Sequence, residues 1–502
     1  MSFLNNYFQA MADEIRSITE KTNLMTPEQM ISEIDVVYDK GKEDYISTGS
    51  LKFSSDGPFT LKVNSPGWNG TIEYSIDKGN TWNTWDGKSQ LSGTATQPIY
   101  LRGTGNTKIC EYNSRWTFTG KYCTGNIETL LDYQTVANGQ HPIMAAECYS
   151  YMFFGCTSLT TAPELPATTL AEECYYAMFQ ACASLTKAPE LPATTLADYC
   201  YRSMFYYCTS LTMPPQLPAT TLAYTCYENM FAGCTSLITV PELPATTLAK
   251  RCYQNMFNGC TSLTTAPQLP ATTLAEECYD KMFQGCTSLT MAPELPATIL
   301  TERCYDAMFQ DCTSLTTAPE LPATTLAEYC YNYMFYQCTS LITAPRLPVT
   351  TLADNCYSDM FYGCTSLVTP PELPATTLAE SCYVSMFEGC TSLTTAPKLP
   401  ATTLAMMCYN RMFFRCTSLT TLPQLPATKL AIYCYVSMFA NCTSLKLSTT
   451  QTGAYQYAYR IPTTGTGTTA TDALKNMFFN TGGTFTDTPT INITYYTDHQ
   501  PI

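Results

Sequence analysis

The chain has 502 residues and sets 26 basic against 41 acidic side chains, a formal charge of −15. That balance offers phosphate backbones and anionic bilayers no basic footprint, and no run of about 18 apolar residues could span a membrane as a helix. With only His141 and His499, most acid–base and zinc chemistry starts short of its usual residue, while 45% hydrophobic content places the chain among folded proteins.

Residues 1–46 predict a helical attachment or oligomerisation segment. Leu4, Phe8, Met11, Ile15 and Ile18 follow a heptad-like spacing that would pair with copies of itself or fold onto the next domain. A second helix starts at Thr26-Pro27-Glu28-Gln29, which joins an N-cap threonine, a proline at the first helical position and a capping box. The opening has neither the basic segment nor the apolar core of a secretory leader. Residues 47–122 hold all four tryptophans (Trp68, Trp82, Trp85, Trp116) among alternating stretches such as Thr71 to Ile76. Turn signals at Asp56-Gly57, Pro66-Gly67 and Asp86-Gly87 punctuate them, so a small β-sandwich is expected.

From Cys148 the chain repeats. Cysteines recur every 26 residues from Cys148 to Cys434, and a second column follows eight residues behind, from Cys156 to Cys442. Twelve units share the pattern CY-x-x-MF-x-x-CTSLTTAPELPATTLA-x-x without insertion or deletion. A strict period marks a solenoid, in which each unit buries its apolar face against its neighbours. In one unit, Leu170, Ala171, Cys174, Tyr175, Met178, Phe179 and Cys182 fall on one face of an α-helix. Thr168 and Thr169 would cap it, with Glu172 closing a capping box, while Pro163 and Pro166 exclude helix before it. Ser184-Leu185-Thr186 predicts a short strand; coils stacked about 4.8 Å apart would run to roughly 60 Å. Residues 123–147, where Cys123-Thr124-Gly125-Asn126-Ile127 echoes CTSLT, form an altered first coil. Residues 447–502 close the other end, with Ala473 to Phe478 echoing CY-x-x-MF, a long loop around Thr463 to Thr471, and a closing strand at Ile491 to Tyr496. The expected architecture is multidomain α+β: N-terminal helices, a small β-sandwich, then a right-handed, leucine-rich-repeat-like α/β solenoid over 148–446, capped at 123–147 and 447–502.

No catalytic, cofactor or metal site emerges. In the expected helix the two cysteines of a unit would stand about 12 Å apart, beyond disulfide reach, and no tight Cys/His cluster suits zinc; they predict buried thiols acting as small hydrophobes. Glu172, Glu173, Glu276, Glu277 and Asp354 predict solvated charge, since nothing singles out the carboxylate pair a glycan-cleaving enzyme needs. His141 and His499 occupy a capping loop and the C-terminal end, away from any serine nucleophile. The informative positions are the six per unit that vary: two before the first cysteine, two after CY and two after MF. Their aromatics are Tyr151, Phe154, Tyr176, Tyr199, Tyr206, Tyr207 and Tyr224 in one group, Tyr329, Tyr333, Tyr336 and Tyr362 in a second, with Phe414 and Tyr433 beyond. Tyrosine mixed with Asn, Ser and Gly resembles the composition of a paratope and predicts a receptor-binding face. The mostly acidic or amide column from Glu164 to Gln424 is the second candidate surface.

The repeat resembles the leucine-rich repeats of BspA-like surface proteins, whose AF-x-x-C-x-x-L core becomes MF here. The opening MADEIRSITEKTNLMTPEQMISEI and the block LLDYQTVANGQHPIMA are similar to segments of bacteriophage tail-fibre and receptor-binding proteins. The resemblance implies a non-enzymatic virion tail component, assembled in the host cytoplasm and displaying the solenoid towards a bacterial surface glycan or protein. Residues 1–46 would contact other tail or baseplate proteins, in a homo-oligomer with a trimer favoured. The alternatives are a BspA-like bacterial adhesin and a structural or decorative virion protein.

Overall fold

The computed structural model describes residues 49–111, 114–461, 470 and 472–502. The helices and heptad seam expected over 1–46, and most of the stretch expected as a long loop around Thr463 to Thr471, lie outside the described residues.

The first part is built from eight short strands: β1 (Leu51–Ser54), β2 (Phe59–Val63), β3 (Thr71–Ser75), β4 (Asn83–Thr84), β5 (Leu91–Gly93), β6 (Ile99–Thr104), β7 (Trp116–Phe118) and β8 (Tyr122–Thr124). They form two antiparallel sheets, ordered β4-β3-β6-β1-β8 and β5-β2-β7. Alternation decides the inner face: in β2, Phe59, Leu61 and Val63 are buried while Thr60 and Lys62 point out. Phe53 of the larger sheet meets Phe118 of the smaller edge-on at 5.1 Å, and Trp85 meets Trp116 at 5.8 Å, so aromatic rings fill the space between the sheets. Strand β8 straddles position 122/123, tying the chain leading into the repeats to β1. A nine-residue helix, α1 (Thr129–Ala137), follows, with a non-helical Asp132 inside it.

The repeats depart from the sequence expectation in one decisive way. None of the twelve CY-x-x-MF-x-x-C segments is an α-helix; each is a ribbon of consecutive turns. In coil two, alternate N–H groups (Tyr176, Met178, Gln180, Cys182) donate back to the carbonyl three residues earlier, at 3.0–3.2 Å. The intervening ones (Glu173, Tyr175, Ala177, Phe179, Ala181) donate to Asp198, Cys200, Arg202, Met204 and Tyr206 of the next coil, at 2.8–3.0 Å. Carbonyls are shared out the same way, so the ribbon's polar backbone is satisfied without the i→i−4 ladder of a helix. The geometry requires a left-handed residue every fourth position: Glu173, Ala177 and Ala181 have φ of 52°, 51° and 60°, and every coil repeats this. Apolar pairs at i, i+1, i+4, i+5 and i+8 suit a period of 4.0 as well as one of 3.6 over nine residues, which is why the helix was the natural expectation. The N-cap at Thr168-Thr169 and the capping box with Glu172 therefore have no helix to cap.

The expected strand contracts as well. Successive coils touch on the other sides through single-residue parallel bridges, such as Thr317↔Thr343, Thr343↔Thr369 and Thr351↔Thr377. Prolines in each APELPATT segment lack the N–H that a longer ladder needs. The result is a repeat-rich protein with short strands and little helix. The α/β character expected of the repeats is thereby corrected to turns and bridges.

What stacks is the core. Each repeat's tyrosine lies on the next repeat's, from Tyr149 to Tyr435, with centroids 5.6–5.9 Å apart and planes within 2–10°. A parallel column of phenylalanines runs from Phe153 to Phe478 at 5.5–5.8 Å. All 26 cysteines are free and buried. Those of the second column from Cys182 on donate to a phenylalanine carbonyl of the preceding coil, as in Cys182 to Phe153 and Cys286 to Phe257 at 3.1 and 3.2 Å, while Cys156 donates to that of Trp116 at 3.3 Å. Burial pushes the thiols up, Cys200 and Cys252 to about 12, so they pack as small apolar groups. At the first coil, Ile109 and Cys110 both donate to the Cys148 carbonyl and Trp116 to that of Met152, at 3.0–3.1 Å. At the last, Asp472 to Asn480 forms a thirteenth ribbon, accepting from Tyr435, Ser437, Phe439 and Asn441 at 2.8–2.9 Å. Beyond it β9 (Leu447–Ser448), β10 (Tyr457–Arg460) and β11 (Thr494–Thr497) make a small antiparallel sheet ordered β10-β11-β9.

Candidate functional site

Period four sorts each ribbon into inward pairs and outward pairs, and the thirteen singled-out aromatics all lie on outward positions. Eleven are half-buried; Tyr207 and Tyr333 are exposed, at 52% and 37%. Six of them (Tyr151, Tyr199, Tyr207, Tyr329, Tyr333, Tyr433) sit on left-handed residues with φ of 52–59°. That conformation costs an L-residue about 1–2 kcal/mol, so no local preference recommends a tyrosine there over glycine, which holds such positions at Gly155, Gly233 and Gly259.

The N-terminal group is a chain of rings and guanidinium groups. Tyr151 contacts Phe154 at 5.9 Å and Tyr176 at 5.0 Å, and Tyr199 meets Tyr224 edge-on at 5.2 Å. Arg202 bridges the two pairs, 5.6 Å from both Tyr176 and Tyr199, and Arg115 covers Phe154 at 3.9 Å. Tyr206 and Tyr207 form a separate pair at 4.4 Å. Tyr207 lies over Gly233, where a Cβ would come within 2.6 Å of the ring.

In the second group Tyr333 meets Tyr336 edge-on at 5.5 Å, and Tyr336 stacks on Tyr362 at 4.6 Å. Tyr329 stands apart under Arg303 at 4.2 Å, and Phe414 lies between Arg411 and Arg415 at 4.1 and 5.2 Å. Among the described residues Tyr433 pairs with no other ring. The structure thus assembles most of the set into local clusters and leaves Tyr329, Phe414 and Tyr433 outside them.

Between the clusters runs a polar network that sequence reasoning saw only as charged and amide residues. Glu228 takes Arg202 at 3.0 Å, Glu277 takes Arg251 at 2.7 Å, and Asp280 takes Gln254 at 2.6 Å and Lys281 at 3.0 Å. Asp306 accepts from Arg303 at 3.2 Å and Asn332 at 3.1 Å. Burial still holds Asp306 up at about 6, with the Asp280 charge adding to it. Asp359 is likewise pushed up to about 6, by burial first and by Glu388.

A second constellation was not expected. Glu128, almost fully buried at the start of α1, holds His141 through a 2.8 Å contact between its Oε2 and the ring Nδ1. The pair borders a cavity of about 320 Å³ with Met144, Thr168, Thr169 and Leu170. Burial raises the Glu128 pKa, opposed by His141. The two residues lie 13 apart on either side of the Asn138-Gly139 turn, a spacing with no periodic signal. The column from Glu164 to Gln424 is exposed along its whole length, beside proline-lined clefts such as that of Glu164, Pro166, Lys187 and Glu190. Among the described residues no group of three or more His, Cys, Asp or Glu could hold a metal ion, and no helix is long and apolar enough to cross a membrane.

Stacked 26-residue units with a leucine-bearing turn and an outward variable face define a leucine-rich-repeat protein. The chain belongs to the BspA type leucine rich repeat family, whose region matches in six copies over residues 142–264, 225–368 and 355–460. No curated protein matches the sequence. Among solved structures, the crystal structure of a TLR13–ssRNA13 complex matches at 11% identity with a TM-score of 0.23, covering 65% of this chain. This chain spans 46% of that one, less than half its length.

Proposed function

We propose that this chain is a non-enzymatic recognition protein whose stacked repeats form a right-handed solenoid and bind a bacterial surface glycan or protein. The observation that carries this reading is the retention of clustered tyrosines on outward, left-handed positions, where drift would favour glycine or long polar side chains. Rigid amphipathic rings among Ser, Asn and Gly give contact area at low entropic cost. The likeness of the opening to bacteriophage tail-fibre segments supports a virion setting, with residues 1–46 joining other tail or baseplate proteins, in a homotrimer. The BspA-type family match favours a second reading, a bacterial surface adhesin.

The test is competition for host cells. The purified chain should bind susceptible bacteria and block phage adsorption, and a variant with Tyr206, Tyr207, Tyr333 and Tyr336 changed to Ser should do neither. Binding that survives the four changes moves the site to the Glu164–Gln424 column or the ends of the stack. Immunogold labelling of virions against cell envelopes separates the two settings, and reducing ends released from host capsule would revive an enzyme.

A further inference from the structure

Among the described residues two aromatic groups carry no arginine over their rings, the Tyr206–Tyr207 pair and the cluster of Tyr333, Tyr336 and Tyr362, and the charge beside the second specifies a ligand class within the recognition reading above. Arginine guanidinium groups lie over the rings of Phe154, Tyr176, Tyr199, Tyr329 and Phe414. Among the described residues none lies over Tyr333, Tyr336 or Tyr362. Several acids border these rings, among them Asp306, Asp311, Asp359 and Glu388. The Tyr333 N–H donates to the Ser358 carbonyl at 3.0 Å, which sets Asp359 next to Tyr333 in the adjoining coil. Glu388 accepts twice from Arg411, at 2.6 and 2.9 Å, and Asp306 has Arg303 and Asn332. Asp359 accepts the Ser358 hydroxyl at 2.7 Å and has no ion-pair partner among the described residues. A half-buried carboxylate outside any salt bridge, beside rings that no arginine covers, is complementary to a soft cation, the Arg411 charge that reaches it being already paired with Glu388.

We propose that Tyr333, Tyr336, Tyr362 and Asp359 form a binding site for an organic ammonium group, a primary amine or a quaternary nitrogen carried by the surface ligand. The rings supply the face on which the cation rests, and the carboxylate supplies the charge. Asp359 accepts the Ser358 hydroxyl and feels the charges of Glu388, which raises its pKa, and Arg411, which lowers it; Glu388 is also hydrogen-bonded to Tyr362, and Tyr333 feels both Asp359 and Asp306. Protonation of Asp359 near pH 6 removes the charge that selects the cation.

The experiment uses the full chain and calorimetric titration with four probes: choline, glucosamine, N-acetylglucosamine and glucose. Choline and glucosamine should bind, with their ratio telling a quaternary from a primary amine source, and the neutral sugars should bind at least about tenfold more weakly, a difference of roughly 1.4 kcal/mol. Choline, whose charge does not titrate, should lose most of its affinity between pH 7.5 and pH 5. Asp359→Asn should abolish the preference while Asp359→Glu keeps it, and circular dichroism of both variants checks the fold. Equal binding of glucose, no binding of either amine, or an unchanged preference in Asp359→Asn would overturn the proposal. Cell binding that persists in Asp359→Asn leaves the recognition reading standing while the ammonium site falls. Choline binding by a chain that ignores host cells does the reverse.

Discussion

Inside each ribbon Cys, Tyr, Met and Phe recur unchanged in all twelve repeats, whereas the outward positions of the same nine residues change from coil to coil. The contrast follows from how the two faces are packed. An inward ring stacks on its own counterpart above and below, so a change in one coil disturbs the fit of two others. An outward side chain is held by backbone bonds that every residue type can make, so its identity is released for other purposes. The same ribbon is therefore a rigid ladder on one side and a free surface on the other.

The largest test of that contrast is Phe283→Ala. Phe283 is fully buried between Phe257 and Phe309, 5.7 and 5.8 Å away. Its loss should cost about 3–5 kcal/mol in urea unfolding. The outward Tyr333→Ser should cost about 0.5 kcal/mol or less. Similar losses for the two would mean that the outward rings are part of the scaffold.

Next in size is Asp359→Asn. The native carboxyl titrates near 6, against about 3.9 in an unfolded chain. Between those values the native state holds more protons than the unfolded one, so ionisation weakens the fold as pH rises. The Asn variant should therefore be more stable at pH 7 by about 1–3 kcal/mol, and the gain should vanish as pH falls towards about 4. A loss at pH 7 would show that the carboxylate holds the coil together. The same substitution separates the two faces in one protein, since a firmer fold and a lost ammonium preference cannot both come from unfolding.

A gain of up to about 1 kcal/mol is expected from Ala181→Gly, because its φ of 60° suits glycine. In an α-helix the same change would cost about 1 kcal/mol. The sign alone distinguishes the ribbon from the helix that the apolar spacing suggests.

That sign also locates what was legible in the sequence. The period, the inward residues and the strand-rich part before the repeats follow from spacing and alternation, which report burial directly. The form of the ribbon does not, because nine residues are too few for periods of 3.6 and 4.0 to part. The signal that could have decided it was glycine immediately before the second cysteine, at Gly155, Gly233, Gly259, Gly285, Gly363 and Gly389. Helix interiors avoid glycine and left-handed turns prefer it. At the candidate site the outward aromatics were legible as variable positions. Their partners were not, since Arg202 reaches Tyr176 and Glu228 only when coils stack, and the Glu128–His141 contact depends on a turn with no sequence period.

The smallest effect probes the network between the two aromatic clusters. Arg251 donates to Glu277 at 2.7 and 3.0 Å, but its side chain is 39% exposed, and Lys250 remains 3.5 Å from the same carboxylate. Arg251→Ala should therefore cost about 0.5 kcal/mol, and about 1 M salt should erase the difference. A salt-insensitive loss of about 2 kcal/mol or more would mean that the pair is held as a buried one. The charged coils would then be fixing the register between the aromatic clusters, and the outward face would no longer be free of the scaffold there.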